Sequence, residues 1–443
     1  MPGETPLHID TPSEAARAPS FDDVLKTFAR IGVLSFGGPS AQIALMHRII
    51  VDEKKWLDEP RYLSALSFCM LLPGPEAMQL ATYVGWRLLG LAGGIAAGLL
   101  FVLPGALIVL ALSMVYAAFG NVPLIEALFF GVKAAVLVIV VEALLRIARR
   151  ALTLREHWII AGLSFVAIFF FAAPFPLIVL AAALFGFFHV SSRVAAAGAS
   201  FAMPLIATSR TLRTIGLWLL IWFVPLGAIA AVFGRDHVLS QLGVFFSKLA
   251  VVTFGGAYAV LAYMGQDVVA HYGWLDAGAM MDGLGLAETT PGPLILVTEF
   301  VGYLAAHRNG GGPPTLMGLL GAFVALWATF APCFLWILAG APYIEWITHQ
   351  PRLRGALHAI TAAVVGVILN LAIWFALHVF FTEVALVEAG PLKLWTPTLA
   401  SLDWRVVALS AIAAFLIFKR RWDIPAVLCV TAALALAIRL SGI

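Results

Sequence analysis

The sequence predicts an all-α polytopic integral membrane protein with two homologous halves in inverted topology. About 11–13 membrane segments are expected, with broken or re-entrant helices at two Pro-Gly-Pro motifs. Three observations predict this fold class: the composition, a set of motifs that occurs twice, and one extra apolar segment between the two sets. The 443 residues are 62% hydrophobic and 12% charged, against roughly 25% charged in soluble domains. Such a chain lies mostly within a membrane.

The repeated motifs are the most informative feature. Three tripeptides recur in the same order and at one constant offset: Phe36-Gly37-Gly38, Trp56-Leu57-Asp58 and Pro73-Gly74-Pro75 return as Phe254-Gly255-Gly256, Trp274-Leu275-Asp276 and Pro291-Gly292-Pro293. Gly-Gly and Pro-Gly-Pro are unfavourable inside helices, so the two copies predict matched helix breaks. Paired breaks in the two halves of a hydrophobic chain are typical of a transporter's binding site.

Further apolar segments follow the motifs in each half. They are 88–118, 122–148, 158–173 and 176–190 in the first half, and 314–340, 355–381, 404–418 and 424–440 in the second. Breaks are expected near Pro104 and Pro332, and one further span, 211–233, belongs to neither set. The predicted organisation is a disordered tail (1–20), a first repeat (21–190), a linker with one extra helix (191–245) and a second, inverted repeat (246–443).

Loop charges support the inversion, because Lys and Arg collect on the cytoplasmic side of membrane proteins. The loop after 122–148 contains four arginines, whereas its counterpart after 355–381 is mainly acidic. Two uncharged turns of the first half have basic counterparts, which contain Arg352 and Arg354 in one case and Lys419–Arg421 in the other. Arg308 is an exception. The pattern predicts an N-terminus on the cytoplasmic side of the membrane and a C-terminus on the opposite side.

Several extended stretches resemble the chromate ion transporter family in its long, two-domain form. They include Met46–Leu57, Cys69–Glu76, Gln79–Tyr83, Phe101–Gly105 and Gly285–Pro293, and the resemblance covers nearly the whole chain from about residue 21. It implies a carrier in the cytoplasmic (inner) membrane of a bacterium, with the C-terminus in the periplasm, that exports chromate, is driven by the ion or proton gradient of the membrane and confers chromate resistance. Sulfate, a tetrahedral dianion of similar shape, is the implied competitor. Glu299 departs from the family pattern, in which Gln is common.

The repeated motifs suit a tetrahedral dianion. Helix N-termini offer free N–H groups and about half a positive charge each, glycine allows close backbone approach, and proline can begin a helix. Up to four half-helices are therefore expected to point at one site, where neighbouring hydroxyls and amides complete the oxygen shell. The alternative is that these residues only permit close packing or kinks. The predicted substrate-binding residues are Ser35, Gly37, Gly38, Gln42, Pro73, Gly74, Pro75, Gln79, Lys133, Thr253, Gly255, Gly256, Thr289, Thr290, Pro291, Gly292 and Pro293.

Four ionisable residues in apolar segments complete the predicted site. A charge such as Lys133 costs at least ~2.5 kcal/mol at the centre of a membrane helix, so it either binds substrate or forms an ion pair with Glu142 or Glu126. The coupling candidates are Glu76, Glu288 and Glu299. Each either carries the coupling proton or only complements a helix dipole.

Other functional classes find little support. No Walker A loop, GxSxG or HExxH motif is present, which argues against an enzyme or a primary pump and leaves no cofactor or metal to assign. The net charge of +3 does not indicate nucleic acid. The expected partners are chromate, sulfate as a competitor and the lipid bilayer. A carrier of sulfate or another oxyanion stays open as the alternative. Gly90, Gly94 and Gly98 indicate a close helix contact or a homodimer face.

Overall fold

The computed structural model of the chain is almost entirely helical, and it describes residues 19–120, 122–190, 208–254, 257–348 and 350–441. The helices of the first half are α1 (Phe21–Leu34), α2 (Gly38–His47), α3 (Glu59–Cys69), α4 (Glu76–Phe119), α5 (Pro123–Ala151), α6 (Arg155–Phe171) and α7 (Phe175–Val190). The extra helix between the halves is α8 (Thr208–Phe233). The all-α class is confirmed, whereas the tail up to residue 18 and the linker segment 191–207 lie outside the described residues.

The second half repeats this order. Its helices are α9 (Val238–Val252), α10 (Ala257–Gln266), α11 (Ala277–Thr289), α12 (Val297–Asn309), α13 (Pro314–Gly340), α14 (Ile344–Thr348), α15 (Pro351–Phe380), α16 (Trp404–Ala414) and α17 (Ile424–Leu440). Its acidic loop forms an antiparallel hairpin of β1 (Val384–Ala389) and β2 (Leu392–Pro397), which sequence reasoning did not anticipate. Glu388 and Lys393 pair across this hairpin at 3.0 Å. Opposite charges on facing strands stabilise such a pair.

Five described helices are long and apolar enough to cross a membrane. They are Glu76–Phe119, Pro123–Ala151, Ser209–Phe233, Pro314–Tyr343 and Pro351–Phe380. Shorter apolar helices cover Phe175–His189, Val238–Val252 and Ile424–Leu440. The chain is therefore polytopic, as the composition predicted.

The expected breaks near Pro104 and Pro332 are wrong. Helix α4 continues past Pro104 and instead kinks at Leu89 and Gly90, where Gly90 has φ +64°. Helix α13 likewise continues past Pro332. A proline has a helical φ and removes one hydrogen bond, which leaves the carbonyl four residues earlier without its usual donor. That carbonyl in α4 belongs to Leu100, and it lies so close to Gly32 of α1 that a Cβ would overlap it.

A long helix of each half packs against the final two helices of the other half. The long helix α5 of the first half packs on α16 and α17 of the second, while α15 of the second half packs on α6 and α7 of the first. Close backbone approaches support both sets of contacts, since a Cβ at Gly131 would overlap the carbonyl of Thr431 and one at Gly186 would overlap that of Gly355. This reciprocal packing is what two related halves produce, and their opposite orientation in the membrane stays a prediction.

The predicted GxxxG contact is formed within the chain. Gly94 lies against Trp86, and Gly98 lies against Thr82 and Phe334, so the kink at Gly90 folds α4 back on its own first turns. Both glycines are buried, as expected for a close helix contact. The homodimer stays a prediction, and these two glycines already serve a contact inside the protomer.

Candidate substrate site

Within the described residues, three of the four Gly-Gly and Pro-Gly-Pro motifs lie directly before a helical segment. Gly37 adopts φ +85° and precedes α2, and Pro75 immediately precedes α4. Pro293 precedes a 3-10 turn, Leu294–Leu296, which runs into α12. None of these three positions caps its helix with a side-chain hydrogen bond. The predicted breaks at the Pro-Gly-Pro motifs are confirmed, whereas Gly255 and Gly256 lie outside the described residues.

The Trp-Leu-Asp motif has a structural role in both halves. Asp58 caps α3 and Asp276 caps α11, in each case by accepting from the backbone N–H three residues later. Short π-helical segments, Arg48–Glu53 and Asp267–His271, precede the two caps. The backbone N–H of the motif tryptophan donates into each of them, from Trp56 to the carbonyl of Ile50 and from Trp274 to that of Val268. An N-cap of this type stabilises a helix by about 1 kcal/mol. The motif thus fixes the entry of the helix that leads to each Pro-Gly-Pro turn.

The two Pro-Gly-Pro turns are each held by the opposite half of the chain. The N–H of Gly74 donates to the carbonyl of Thr253 at 2.8 Å, and the N–H of Gly292 donates to the carbonyl of Ser35 at 2.8 Å. Ser35 and Thr253 follow the last residues of α1 and α9, and they occupy equivalent positions in the two repeats. The structure therefore contains the same hydrogen bond twice, each time between halves.

The helices that continue past proline pack against these turns. A Cβ on Gly105 of α4 would overlap the carbonyl of Pro291, and a Cβ on Gly74 would lie 2.8 Å from Sγ of Cys333 in α13. Gly74 has φ +119° and Gly292 has φ +91°, so both are in a region that favours glycine. Residues next to Pro104 and Pro332 thus lie against the two Pro-Gly-Pro turns.

Two amides of the first half reach the turns. Nε2 of Gln42 donates to the carbonyl of Gly292 at 2.6 Å, and Nε2 of Gln79 donates to the carbonyl of Pro73 at 2.7 Å. Among the described residues, the buried Oε1 of Gln79 has no hydrogen-bond partner. The equivalent residues of the second repeat are Val260 and Val297. The polar lining is therefore asymmetric.

The predicted hydroxyls donate to their own helices. Ser35 donates to the carbonyl of Ile31 at 2.6 Å, and Thr289 to that of Leu286 at 2.9 Å. Thr253 and Thr290 do likewise. The N–H groups of Gly74 and Gly292 also donate to carbonyls. In this conformation the four hydroxyls and the two glycine N–H groups all donate to the protein itself. An anion can bind the glycine N–H groups only after the contacts to the opposite half have opened.

The three coupling candidates occupy different surroundings. Glu288 is buried at the end of α11 and accepts from the hydroxyl of Tyr258 at 2.8 Å. Glu299 is buried in α12, where its Oε2 has no hydrogen-bond partner among the described residues. Glu76 is partly buried in the first turn of α4, beside a Pro-Gly-Pro turn. The three carboxyl groups therefore differ both in burial and in the hydrogen bonds that they accept.

Lys133 has a different partner from the two that the sequence suggested. Its Nζ lies 3.4 Å from Oδ1 of Asp282 in α11, and Asp282 also accepts from Tyr116 at 2.8 Å. Glu142 instead pairs with Arg146, one turn further along α5. Sequence reasoning missed Asp282, although an acid within an apolar segment was the available signal. Among the described residues, no group of His, Cys, Asp and Glu side chains could hold a metal ion.

The chain is similar to known proteins over most of its length. A family model described as chromate transporter matches residues 23–187 and 240–438. The chain is 32% identical to the chromate transport protein of Cupriavidus metallidurans over 354 residues, which is 79% of this chain and 81% of that protein. It is 34% identical to the chromate transport protein of Pseudomonas aeruginosa over 372 residues, covering 81% of this chain and 82% of that protein. No solved structure matches.

Proposed function

The chain belongs to the chromate transporter family, and on that premise we propose that it is a secondary active transporter that exports chromate across the cytoplasmic membrane. The proton motive force drives export in this proposal, and the export confers chromate resistance. The family membership makes the chain a multi-pass membrane transporter and not an enzyme. The proposed orientation has a cytoplasmic N-terminus and a periplasmic C-terminus in a bacterial inner membrane.

The observation that supports this proposal is the reciprocal pair of hydrogen bonds at the Pro-Gly-Pro turns. Gly74 contacts Thr253 and Gly292 contacts Ser35, so each turn belongs partly to both halves. When one half rotates against the other, one or both of these bonds open. The released N–H groups at the beginning of α4 and of the α12 segment then face the dianion, as helix N-termini do in other anion sites. Gln42 and Gln79 supply side-chain donors next to them.

Proton coupling is assigned to the buried carboxyl groups near the turns. Glu288 is the first candidate because it has a single described donor, Tyr258, and is nearly inaccessible. Glu76 and Glu299 are the others. A dianion and a carboxylate repel each other at close range, so protonation of the carboxyl group accompanies substrate occupancy in this proposal. Lys133 contributes positive potential if it leaves Asp282 during the cycle.

The alternative substrate is sulfate or another oxyanion, bound at the same site. Helix N-termini and amide donors recognise charge and oxygen geometry, which chromate and sulfate share. In the proposal sulfate acts as a weak competitor of chromate.

Uptake of radiolabelled chromate into everted membrane vesicles tests the proposal. Gradient-dependent uptake that sulfate inhibits only weakly is the expected result. Gly292→Ala should abolish uptake, because its Cβ would lie 3.0 Å from Leu296 and 3.3 Å from the Cα of Gly105. Gly234→Ala is the matched control, since Gly234 has a similar φ of +90° and nothing within 4 Å of the new Cβ. Robust sulfate flux without chromate flux would assign the site to another oxyanion, and uptake insensitive to the gradient would refute proton coupling.

A further inference from the structure

The first turn of α4 has backbone donors without acceptors. The helix begins at Glu76, and Pro75 before it makes no side-chain cap hydrogen bond. The N–H of Gln79 donates to the carbonyl of Pro75 at 3.1 Å. The three N–H groups before it, those of Glu76, Ala77 and Met78, have no acceptor among the described residues. Such groups are the free donors that every helix N-terminus contains.

This end of α4 is buried. Ala77 is 2% exposed, and Met78 and Gln79 are fully inaccessible. Free N–H groups at a helix N-terminus usually bond to water or to a capping side chain, and a buried N-terminus without a cap needs another acceptor. Because the helix dipole also favours negative charge at this end, an anion is the ligand that suits these donors.

The side chain of Gln79 reaches back past the beginning of its own helix. Its Nε2 donates to the carbonyl of Pro73 at 2.7 Å, which fixes the orientation of the amide, because the opposite orientation would place two carbonyl oxygens against each other. A Cβ on Gly74 would lie 2.9 Å from Nε2 and 3.7 Å from Cδ, so the amide group lies against the Pro-Gly-Pro turn. Its Oε1 is buried and has no donor among the described residues.

The titratable side chains nearest to this amide leave Oε1 unpaired. The thiol of Cys333 in α13 lies against the same turn, and it donates to the carbonyl of Thr329 at 3.2 Å. Glu76, one turn before Gln79, makes no described hydrogen bond to this oxygen either. In the second repeat the equivalent of Gln79 is Val297, so this acceptor occurs at one of the two turns.

The unpaired groups require opposite partners, since the N–H groups need an acceptor and Oε1 needs a donor. A tetrahedral oxyanion that retains one proton offers both. We propose that the first Pro-Gly-Pro turn recognises an oxyanion with an O–H group, in which Oε1 of Gln79 accepts the hydrogen and the first turn of α4 donates to the other oxygens. This inference rests on the proposed function and specifies its substrate as hydrogen chromate. Export of this monoanion is still favoured by a membrane potential that is negative inside.

The acceptor distinguishes chromate from sulfate, which backbone donors alone cannot do. Chromate is the anion of a weak acid and exists partly as hydrogen chromate near neutral pH, whereas sulfate is the anion of a strong acid and has no proton there. Sulfate in the site would leave Oε1 of Gln79 unpaired. A site that hydrogen-bonds an O–H group rejects analogues without one, because its own buried polar group then has no partner.

The test compares two anions that differ in one group. Hydrogen phosphate has an O–H where monofluorophosphate has fluorine, and both are dianions in mildly alkaline buffer. Isothermal titration of the purified full chain in neutral detergent measures their affinities, with sulfate as a third anion. Hydrogen phosphate should bind the wild type about tenfold more tightly than monofluorophosphate or sulfate. Equal affinities, or no binding of hydrogen phosphate, would overturn the proposal.

Gln79→Leu removes the acceptor and should bind hydrogen phosphate and monofluorophosphate equally. Gln42→Leu is the matched control, because it removes an amide that donates to the other turn, at Gly292. It should keep the preference for hydrogen phosphate whatever its affinity, and loss of the preference in both variants would overturn the role of Oε1. Chromate flux in vesicles separates the two proposals. Flux without the preference refutes this inference alone, whereas the preference without flux supports the acceptor and refutes the proposed function.

Discussion

Lys133 and Asp282 form a buried ion pair, and replacement of Lys133 tests whether the two side chains stabilise the fold only as a pair. The side chain of Asp282 is 5% exposed, so Lys133→Met leaves a carboxylate that solvent cannot reach. Removal of one partner of a buried pair costs about 3–5 kcal/mol, and we expect a loss of unfolding free energy in that range. Lys133 is 27% exposed and can turn towards solvent, so Asp282→Asn should cost only about 1–2 kcal/mol. The double variant should recover most of the loss, because Tyr116 can still donate to the neutral amide.

Unfolding in mixed micelles, followed by tryptophan fluorescence, measures the four proteins of this cycle. The two single losses together come to about 4–7 kcal/mol and the double variant should keep a loss of only about 1–2 kcal/mol, so we expect a coupling of about 3–5 kcal/mol, at or above the upper end of the range for residues in contact. Additivity within about 0.5 kcal/mol would refute the ion pair, and an equal cost for the two single variants would refute the argument from exposure. Chromate flux separates structure from function: a double variant that is stable but inactive assigns Lys133 or Asp282 a role in transport.

Three further predictions concern other parts of the chain. Gly74→Ala should abolish chromate flux while the protein stays in the membrane, because the new Cβ would meet Sγ of Cys333. Gly311→Ala is the control, since Gly311 has φ +65° and open space around the new Cβ. Normal flux of Gly74→Ala, or an equal loss of flux in Gly311→Ala, would contradict this prediction. Glu288→Gln should abolish the pH dependence of flux measured in vesicles at fixed membrane potential, and an unchanged profile would exclude this coupling role. In the extramembrane loop, the hydrogen bond from Arg405 holds the pKa of Asp403 below its ordinary value. The pair therefore stabilises the fold at pH values above the ordinary pKa of an Asp. This contribution is lost as the pH falls through the lowered pKa of Asp403, so Asp403→Asn should reduce the acid dependence of the melting temperature.

Much of the fold could be predicted because membrane helices leave strong sequence signals. The apolar segment predicted at 122–148 is α5, and those at 211–233 and 424–440 are α8 and α17. A backbone inside the membrane cannot bond to water, so a spanning segment must be a long helix with apolar side chains. Length and composition therefore suffice to predict such a helix from the sequence. The hairpin formed by β1 and β2 escaped prediction, since it lies in a polar loop where pairing between strands decides the structure.

The proline positions show where sequence reasoning failed. Pro104 and Pro332 were expected to break their helices, yet both are accommodated. Gly32 lets α1 approach the carbonyl that Pro104 leaves free, and such a compensation depends on a helix far away in the chain. The break occurs at Gly90 instead, where the chain folds back on itself. A local pattern cannot reveal which residue of another helix will lie opposite.

The sequence by itself determined the membrane class, the repeated motifs and the helix breaks at Pro73-Gly74-Pro75 and Pro291-Gly292-Pro293, because these follow from composition and backbone chemistry. Only the tertiary structure decided the partners: Gly74 with Thr253, Gly292 with Ser35, and Lys133 with Asp282. Each of these contacts joins residues that are far apart along the chain and belong to opposite halves. Such pairings depend on how the halves pack, since the helix that contains a residue fixes its direction but not its neighbour across the interface.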